Sequence, residues 1–279
     1  MASLETKHEK LKSNLRTMGR VVIAFSGGVD SSFLLKTATD VLGNNVLAVT
    51  AKSATTSARE LRDAVSLVDE LKPEHLIVES GEMNLPQFVV NSSEKCYVCK
   101  EHRFGGILKI ARNRGFKFVL DGENLDDVDD FRPGSKAARE LGVRSPLREA
   151  GLSKKDIRAL SRKIGLTTWN KPSYACLASR IPYGSLITEE KLRQVDLGEE
   201  FIRGLIPVSQ TRVRHYGHTA QIEVDSSSMP LLIKRNIRKK LVQFFKQDLG
   251  FKFVTLDLEG YETGSMNRLL NQTTTHKQS

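Results

Sequence analysis

Val21-Val22-Ile23-Ala24-Phe25-Ser26-Gly27-Gly28-Val29-Asp30-Ser31-Ser32 decides how this chain folds. The first five residues are apolar and read as a buried strand, and Phe33-Leu34-Leu35-Lys36-Thr37-Ala38 then carries helical spacing. A strand that turns through two glycines into a helix start aims backbone N–H groups outward. The positive end of the helix dipole lies behind them, so the turn is built for an anion. Gly27 and Gly28 permit close backbone approach, and Ser26, Ser31 and Ser32 add hydroxyl donors. Asp30 would repel a bare phosphate, which leaves it to cap the helix or to face Mg²⁺. The turn is not a Walker A loop, because no Gly-Lys-Ser/Thr follows at the required spacing.

Outward from this turn, strands alternate with helices. An amphipathic helix at 4–19 precedes it; strands read at 46–51, 75–79 and 117–121, and helices at 57–71, 103–114 and 153–165, the last capped by Ser153 with Asp156 near its third position. This alternation predicts an α/β fold, a doubly wound parallel sheet. Such sheets bind ligands outside the carboxyl ends of their strands. The Ser26 loop, the Lys52-Ser53 turn and the Asp121-Gly122-Glu123-Asn124 turn all fall there, so Lys52, Ser53 and Gly122 join the loop residues as nucleotide-binding candidates.

Beyond Gly184 the pattern changes to a helix at 189–205, a hairpin of 211–216 and 220–224 around Gly217-His218, a helix at 231–249 and a strand at 253–258. These elements predict a smaller α+β domain over 186–270, after a first domain of 1–185 and before a loose polar tail at 271–279.

Composition narrows the classes. At 279 residues, 39% of them hydrophobic, the chain can bury a substantial core, and no apolar run approaches a membrane span of about 20 residues. The start, Met1-Ala2-Ser3-Leu4-Glu5-Thr6-Lys7, lacks a signal peptide's apolar stretch, and three cysteines do not make a disulfide framework, so a cytoplasmic setting is expected. A net charge of +10 suits an anionic partner, nucleotide or RNA, without choosing between them.

Three further groups carry chemistry. Cys96-Tyr97-Val98-Cys99 reads as half a zinc site, a redox pair or, with Cys176, three thiolates on a [4Fe–4S] cluster with one iron left open; three separate buried thiols are the plain alternative. Arg212 and Arg214 share one face of a strand, where two guanidiniums suit a phosphate or simply line a solvated hairpin edge. Asp126, Asp127, Asp129 and Asp130 form an acidic run that reads as a solvated loop, with a Mg²⁺ or substrate role as the alternative, and Lys234 to Lys240 reads as a solvated basic helix face.

The loop Ser26-Gly27-Gly28-Val29-Asp30-Ser31 resembles the PP-loop of the N-type ATP pyrophosphatases, which adenylate a carbonyl or carboxylate and release pyrophosphate. The resemblance sharpens at Trp169-Asn170-Lys171-Pro172-Ser173-Tyr174-Ala175-Cys176-Leu177-Ala178-Ser179-Arg180-Ile181-Pro182-Tyr183-Gly184. With Phe131-Arg132-Pro133-Gly134 and Gly260-Tyr261-Glu262-Thr263-Gly264-Ser265-Met266-Asn267, this segment resembles the LarE family over nearly the whole chain.

That resemblance implies an ATP-dependent sulfur transferase acting on pyridinium-3,5-biscarboxylic acid mononucleotide. Its carboxylates become thiocarboxylates for the nickel-pincer nucleotide of lactate racemase. ATP, Mg²⁺ and, in the three-cysteine branch, a [4Fe–4S] cluster on Cys96, Cys99 and Cys176 are the implied cofactors; in the other branch a single cysteine gives up its own sulfur. Arg212 and Arg214 match substrate-phosphate arginines, Ser179 and Arg180 match polar residues of the same site, and Glu200 and Glu223 match acidic residues at substrate or metal. A homo-oligomer, a hexamer in keeping with the family, and dealings with other nickel-pincer biosynthesis proteins are further expectations that the resemblance implies.

A PP-loop tRNA-thiolating enzyme, an ammonia-using synthetase and a nucleotide-binding regulator are competing readings. Neither an appended RNA-binding module nor a glutaminase cysteine context is visible in the sequence, and nucleic acid is not the expected partner.

Overall fold

The computed structural model describes residues 2–128, 133–172 and 175–268. Asp129, Asp130, Phe131, Arg132, Ser173, Tyr174 and the expected tail at 271–279 lie outside the described residues. The chain divides into two compact units, the first Met1–Phe88 with Glu94–Tyr174, the second Val89–Ser93 with Ala175–Ser279.

In the first unit four strands, β1 (Val21–Ala24), β2 (Val46–Lys52), β3 (Glu74–Glu79) and β4 (Phe118–Leu120), pair in parallel in the order β3-β2-β1-β4. Side chains alternate across the sheet. Val21, Ile23, Val46 and Ala48 pack with α1 (Leu4–Met18), α2 (Val29–Leu42), α3 (Ala58–Leu71) and, further along, Ile157 and Leu160. Val22, Leu47, Val49 and Val119 pack on the opposite face with Phe104, Ile107 and Ala111 of α4 (Lys95–Asn113) and Ala138 of α5 (Pro133–Glu140). Both faces are covered, which is why these strands read as unbroken apolar runs. The winding reverses between β1 and β4, and a doubly wound sheet opens a crevice at that reversal.

Helix starts are legible where a side chain caps them. Ser57 and Glu60 form a capping box on α3, and Ser153 and Asp156 form one on α6 (Lys154–Lys163). The helix expected from Arg103 instead begins at Lys95. Its apolar stripe begins only at Phe104, and Gly105-Gly106 interrupts it, so the polar first turns carry no periodic signal.

In the second unit β5 (Thr211–Tyr216) and β6 (Thr219–Val224) form the expected hairpin, and β7 (Phe253–Leu256) adds in parallel to β6. Helix α7 (Glu189–Leu205) packs on this sheet through Leu192, Val195 and Ile202, and Gly198 leaves room for Phe245, whose Cζ would lie 2.9 Å from an added Cβ. The single helix expected over 231–249 is broken into a turn at Met229–Leu232, α8 (Arg235–Gln243) and a π-turn at Phe244–Asp248. The extra residue of that turn lets Phe245 reach the core while Phe244 stacks on Phe201 with centroids 4.0 Å apart.

Residues 89–93 join this unit because the buried Asn91 amide donates to the carbonyls of Ile181 (3.2 Å), Pro182 (2.8 Å) and Ser185 (2.9 Å). A contact spanning some ninety positions leaves no local trace, and local pattern alone puts the boundary near 185. Among the described residues no helix is long and apolar enough to cross a membrane.

Candidate active site

At the carboxyl end of β1 the chain turns through Gly27, at φ +69°, a conformation in which side chains other than glycine are strained. A Cβ there would also lie 2.9 Å from the Ala64 Cβ of α3. Gly28 takes the N-cap position of α2 without a side-chain cap, so Asp30 does not cap the helix. Ser26 and Ser31 lie Oγ to Oγ at 3.1 Å, and the Gly28 N–H donates to the Ser26 Oγ at 3.4 Å. Gly122 follows β4, and a Cβ there would sit 3.0 Å from the Ser31 backbone nitrogen. Two glycines thus let α3 and the β4 turn close on the loop, and the helix start faces the crevice at the reversal of the sheet.

Charged groups brace this loop. The Asp30 carboxylate meets Lys154 Nζ at 2.5 Å. Burial raises the Asp30 pKa above its ordinary value, although Lys154 opposes the shift. Lys171 Nζ donates to the Gly27 carbonyl at 3.0 Å and pairs with Asp63 at 2.8 Å, while Arg158 holds the carbonyls of Trp169 and Lys171, each at 2.9 Å. Nothing local in the sequence marks Lys154 or Lys171 for this role. Both reach the loop from more than a hundred positions away, a proximity that only folding creates.

At the carboxyl end of β2, Lys52 pairs with Glu79 at 3.0 Å. Ser53 donates to the fully buried Glu82 at 2.5 Å, as does Arg103. Burial opposes the Glu82 charge, yet Arg103, Ser53 and Ser80 outweigh it and hold the pKa at about 2. Ser53 is therefore engaged in an internal network.

After β4, Asp121 is buried, and its Oδ1 accepts from the Glu123 N–H at 3.2 Å. Burial and the adjacent Glu123 charge push its pKa up to about 6. A raised carboxyl pKa stabilises the fold at pH below about 4, and that contribution is lost as pH rises through about 6. Asp121→Asn keeps the acceptor and removes the charge. Its unfolding free energy should exceed that of the parent by about 1–3 kcal/mol at pH 8 and match it near pH 4. Denaturant titrations at both pH values check this, and an advantage that does not grow with pH would contradict it.

Cys96 and Cys99 lie three apart near the start of α4, so they share a helix face. The next residue, Lys100, pairs with Glu123 at 3.2 Å, which sets the beginning of α4 beside the β4 turn. Cys176 belongs to the second unit and is exposed, as is Cys96, while Cys99 is half-buried. All three are thiols rather than disulfides. Thiolates are the ligands an iron–sulfur cluster requires, and Cys96 and Cys99 stand within one turn of the same helix. Within each unit, among the described residues, no three His, Cys, Asp or Glu side chains gather as a metal site.

The second unit carries a buried cluster of charge. Arg214 is bidentate on Glu223, at 2.8 and 2.7 Å, and donates to the Ser179 carbonyl at 3.1 Å and the Ser265 Oγ at 3.0 Å. Arg212 lies on the same strand face, its guanidinium 4.8 Å from the Tyr261 ring centroid. Burial and the neighbouring Arg180 charge lower the Arg212 pKa.

Arg180 is bidentate on Glu199, at 2.8 and 3.2 Å, and Arg203 meets the same carboxylate at 2.8 Å. Burial opposes the Glu199 charge, but Arg180, then Arg212 and Arg203, hold its pKa below the ordinary value. Among the described residues, Arg180, Arg203, Arg212 and Arg214 gather around Glu199 and Glu223, and guanidiniums so placed suit an anion.

The expected Ser179, Arg180, Arg212, Arg214 and Glu223 thus come together. Glu200 is exposed, and its neighbour Glu199 is the buried acid of the cluster. The helix phase carries the signal for this: Leu192, Val195, Glu199 and Ile202 form one stripe, and Glu200 is turned about 100° away. Asp225, outside this set, accepts from Ser209, Ser227 and Ser228, and these hydroxyls hold its pKa low against burial.

Sheet order, glycine turn and helix start define the first unit as a PP-loop ATP pyrophosphatase fold, and the NAD synthase family model matches residues 4–97. The chain is 38% identical over 275 residues to the pyridinium-3,5-bisthiocarboxylic acid mononucleotide synthase of Lactiplantibacillus plantarum, covering 98% of both chains. It is 41% identical over 269 residues to an uncharacterized protein of Synechocystis sp., spanning 96% of this chain and all of that one. A glutamine-hydrolyzing GMP synthase component of Thermoplasma volcanium is 25% identical over 180 residues, 58% of this chain and 57% of that one. The chain belongs to the LarE-like family of PP-loop proteins and is an ATP-dependent enzyme.

Proposed function

We propose that this enzyme adenylates the carboxylates of pyridinium-3,5-biscarboxylic acid mononucleotide and converts them to thiocarboxylates for the nickel-pincer cofactor of lactate racemase. The observation that carries this reading is the pairing, in one chain, of an ATP loop with a buried arginine cluster, in a relative of a bisthiocarboxylic acid mononucleotide synthase. A substrate carboxylate oxygen attacks the α-phosphorus of ATP, the bond to the β-phosphate breaks, and pyrophosphate leaves. Sulfide sulfur then attacks the activated carbonyl carbon, and AMP leaves with the former carboxylate oxygen.

The loop N–H groups and the α2 start hold the departing phosphates. Lys171 steadies the Gly27 peptide, and Asp30 would hold Mg²⁺ once Lys154 gives way. Arg212 and Arg214 bind the phosphate of the mononucleotide. Cys96, Cys99 and Cys176 would hold a [4Fe–4S] cluster, whose contribution when bound is a renewable sulfur. Oligomeric assembly and exchange with other nickel-pincer biosynthesis proteins belong to the same reading.

The test is pyrophosphate release from ATP that depends on the biscarboxylic mononucleotide, with a thiocarboxylate product identified by mass. Release with tRNA and not with the mononucleotide would overturn the assignment. Arg212→Ala and Arg214→Ala should each weaken the mononucleotide by about 1.5–3 kcal/mol, roughly 10- to 150-fold, and leave ATP affinity unchanged. Titrations with each ligand check this, and equal losses for both would move these arginines away from the substrate phosphate.

A further inference from the structure

We propose that Glu199, acting through Arg180, is a positioning residue that holds the Cys176 turn ready for sulfur transfer. The clamp lies wholly within the second unit. Arg180 and Glu199 are each 2% exposed. One guanidinium edge of Arg180, Nε with Nη2, is locked on the Glu199 carboxylate at 2.8 and 3.2 Å. That lock directs Nη1 at the turn, where it donates to the Ala175 carbonyl at 2.5 Å, the Cys176 carbonyl at 3.1 Å and the Ser179 Oγ at 3.0 Å. Glu199 is itself fixed by Arg203 at 2.8 Å and by the Val213 N–H at 3.2 Å, so the clamp is anchored on both α7 and β5.

The thiol of Cys176 is exposed, while the peptide groups on either side of it are tied to a buried ion pair. An exposed reactive group on a fixed backbone is the arrangement that holds attack geometry, where displacement by an ångström is costly in rate. The family resemblance implies a place for Arg180 near the substrate; its hydrogen bonds also tie it to the cysteine turn. Residue type does not set Glu199 apart from Glu200; helix phase does, and Glu200 is turned away from the clamp.

This inference rests on the proposed sulfur-transfer reading. A two-step assay separates them. Adenylation needs the ATP loop and the arginines of the substrate phosphate, and sulfur transfer needs Cys176 as well. In full-length enzyme at saturating mononucleotide, Glu199→Gln should lower thiocarboxylate formation at least about 10-fold more than it lowers mononucleotide-dependent ATP–pyrophosphate exchange. Amide hydrogen exchange at Ser179 and Ile181, whose N–H groups bond the Cys176 and Ala178 carbonyls, should accelerate at least about 10-fold, with β6 amides unchanged. Glu199→Asp, which retains the carboxylate, should recover part of the transfer rate.

Should Glu199→Gln fold poorly around an uncompensated Arg180, the double variant Arg180→Met/Glu199→Leu removes both charges and leaves an apolar core. It should show the same split. Equal loss of exchange and transfer in the variant that folds, or transfer that survives a released turn, overturns the positioning role. Absence of mononucleotide-dependent exchange in the parent enzyme overturns the functional reading instead.

Discussion

Asp30→Ala and Ser26→Ala should each lower ATP-dependent pyrophosphate formation at least about 100-fold while the chain remains folded. The loop gathers the Ser26 and Ser31 hydroxyls and the N–H groups of a helix start in one place, and Asp30 stands on that helix's first turn with Lys154 as its counter-charge. On the proposed reading, phosphate charge that develops as the α–β bond breaks is stabilised there by groups already oriented, so removing one costs rate and little stability. Removing Asp30 also leaves the Lys154 ammonium, about a third exposed, to return to water, which keeps the penalty on folding small. Pyrophosphate release and thermal unfolding measured on the same preparations check both halves. Full release by either variant would place the nucleotide elsewhere.

The second large effect concerns the source of sulfur. With three thiolates on one cluster, replacing any of Cys96, Cys99 or Cys176 by Ala should remove most bound iron and multiple-turnover product formation together. Three ligands already leave one iron open, so a two-ligand site loses the cluster readily. Sacrificial donation predicts another pattern: Cys176→Ala is inactive, Cys96→Ala and Cys99→Ala are active, and Cys176 loses about 34 Da per transfer as its thiol becomes an alkene. Iron and sulfide analysis of protein purified without air, with intact mass after turnover, distinguishes the two. Unchanged mass with several products per chain supports the cluster, and a stoichiometric loss at Cys176 without iron rules it out.

Much of the first unit is local physics. Val21 to Ala24 is apolar on both faces because helices cover both sides of a parallel strand, and that run is visible in one dimension. Gly27 stands where φ is +69° and α3 leaves no room for a Cβ, so the loop too is written in neighbouring residues. The Ser57–Glu60 and Ser153–Asp156 boxes mark helix starts within four residues. The alternation of these segments is enough for the doubly wound sheet, and Arg212 and Arg214 share a face by strand periodicity alone.

Tertiary structure decided what depends on distant partners or on helical phase. The start of α4 sheds no periodic signal, so the C-x-x-C pair falls before the helix read at 103–114 and is helical in the fold. Lys154 and Lys171 brace the ATP loop across more than a hundred residues, and Asn91 draws 89–93 into the second unit across about ninety. The choice of Glu199 over Glu200 turns on a rotation of about 100°, which an acidic pair in the sequence leaves open until a buried guanidinium takes one of them. A buried charge needs a partner of opposite sign at hydrogen-bond distance, and only the folded chain brings that partner there.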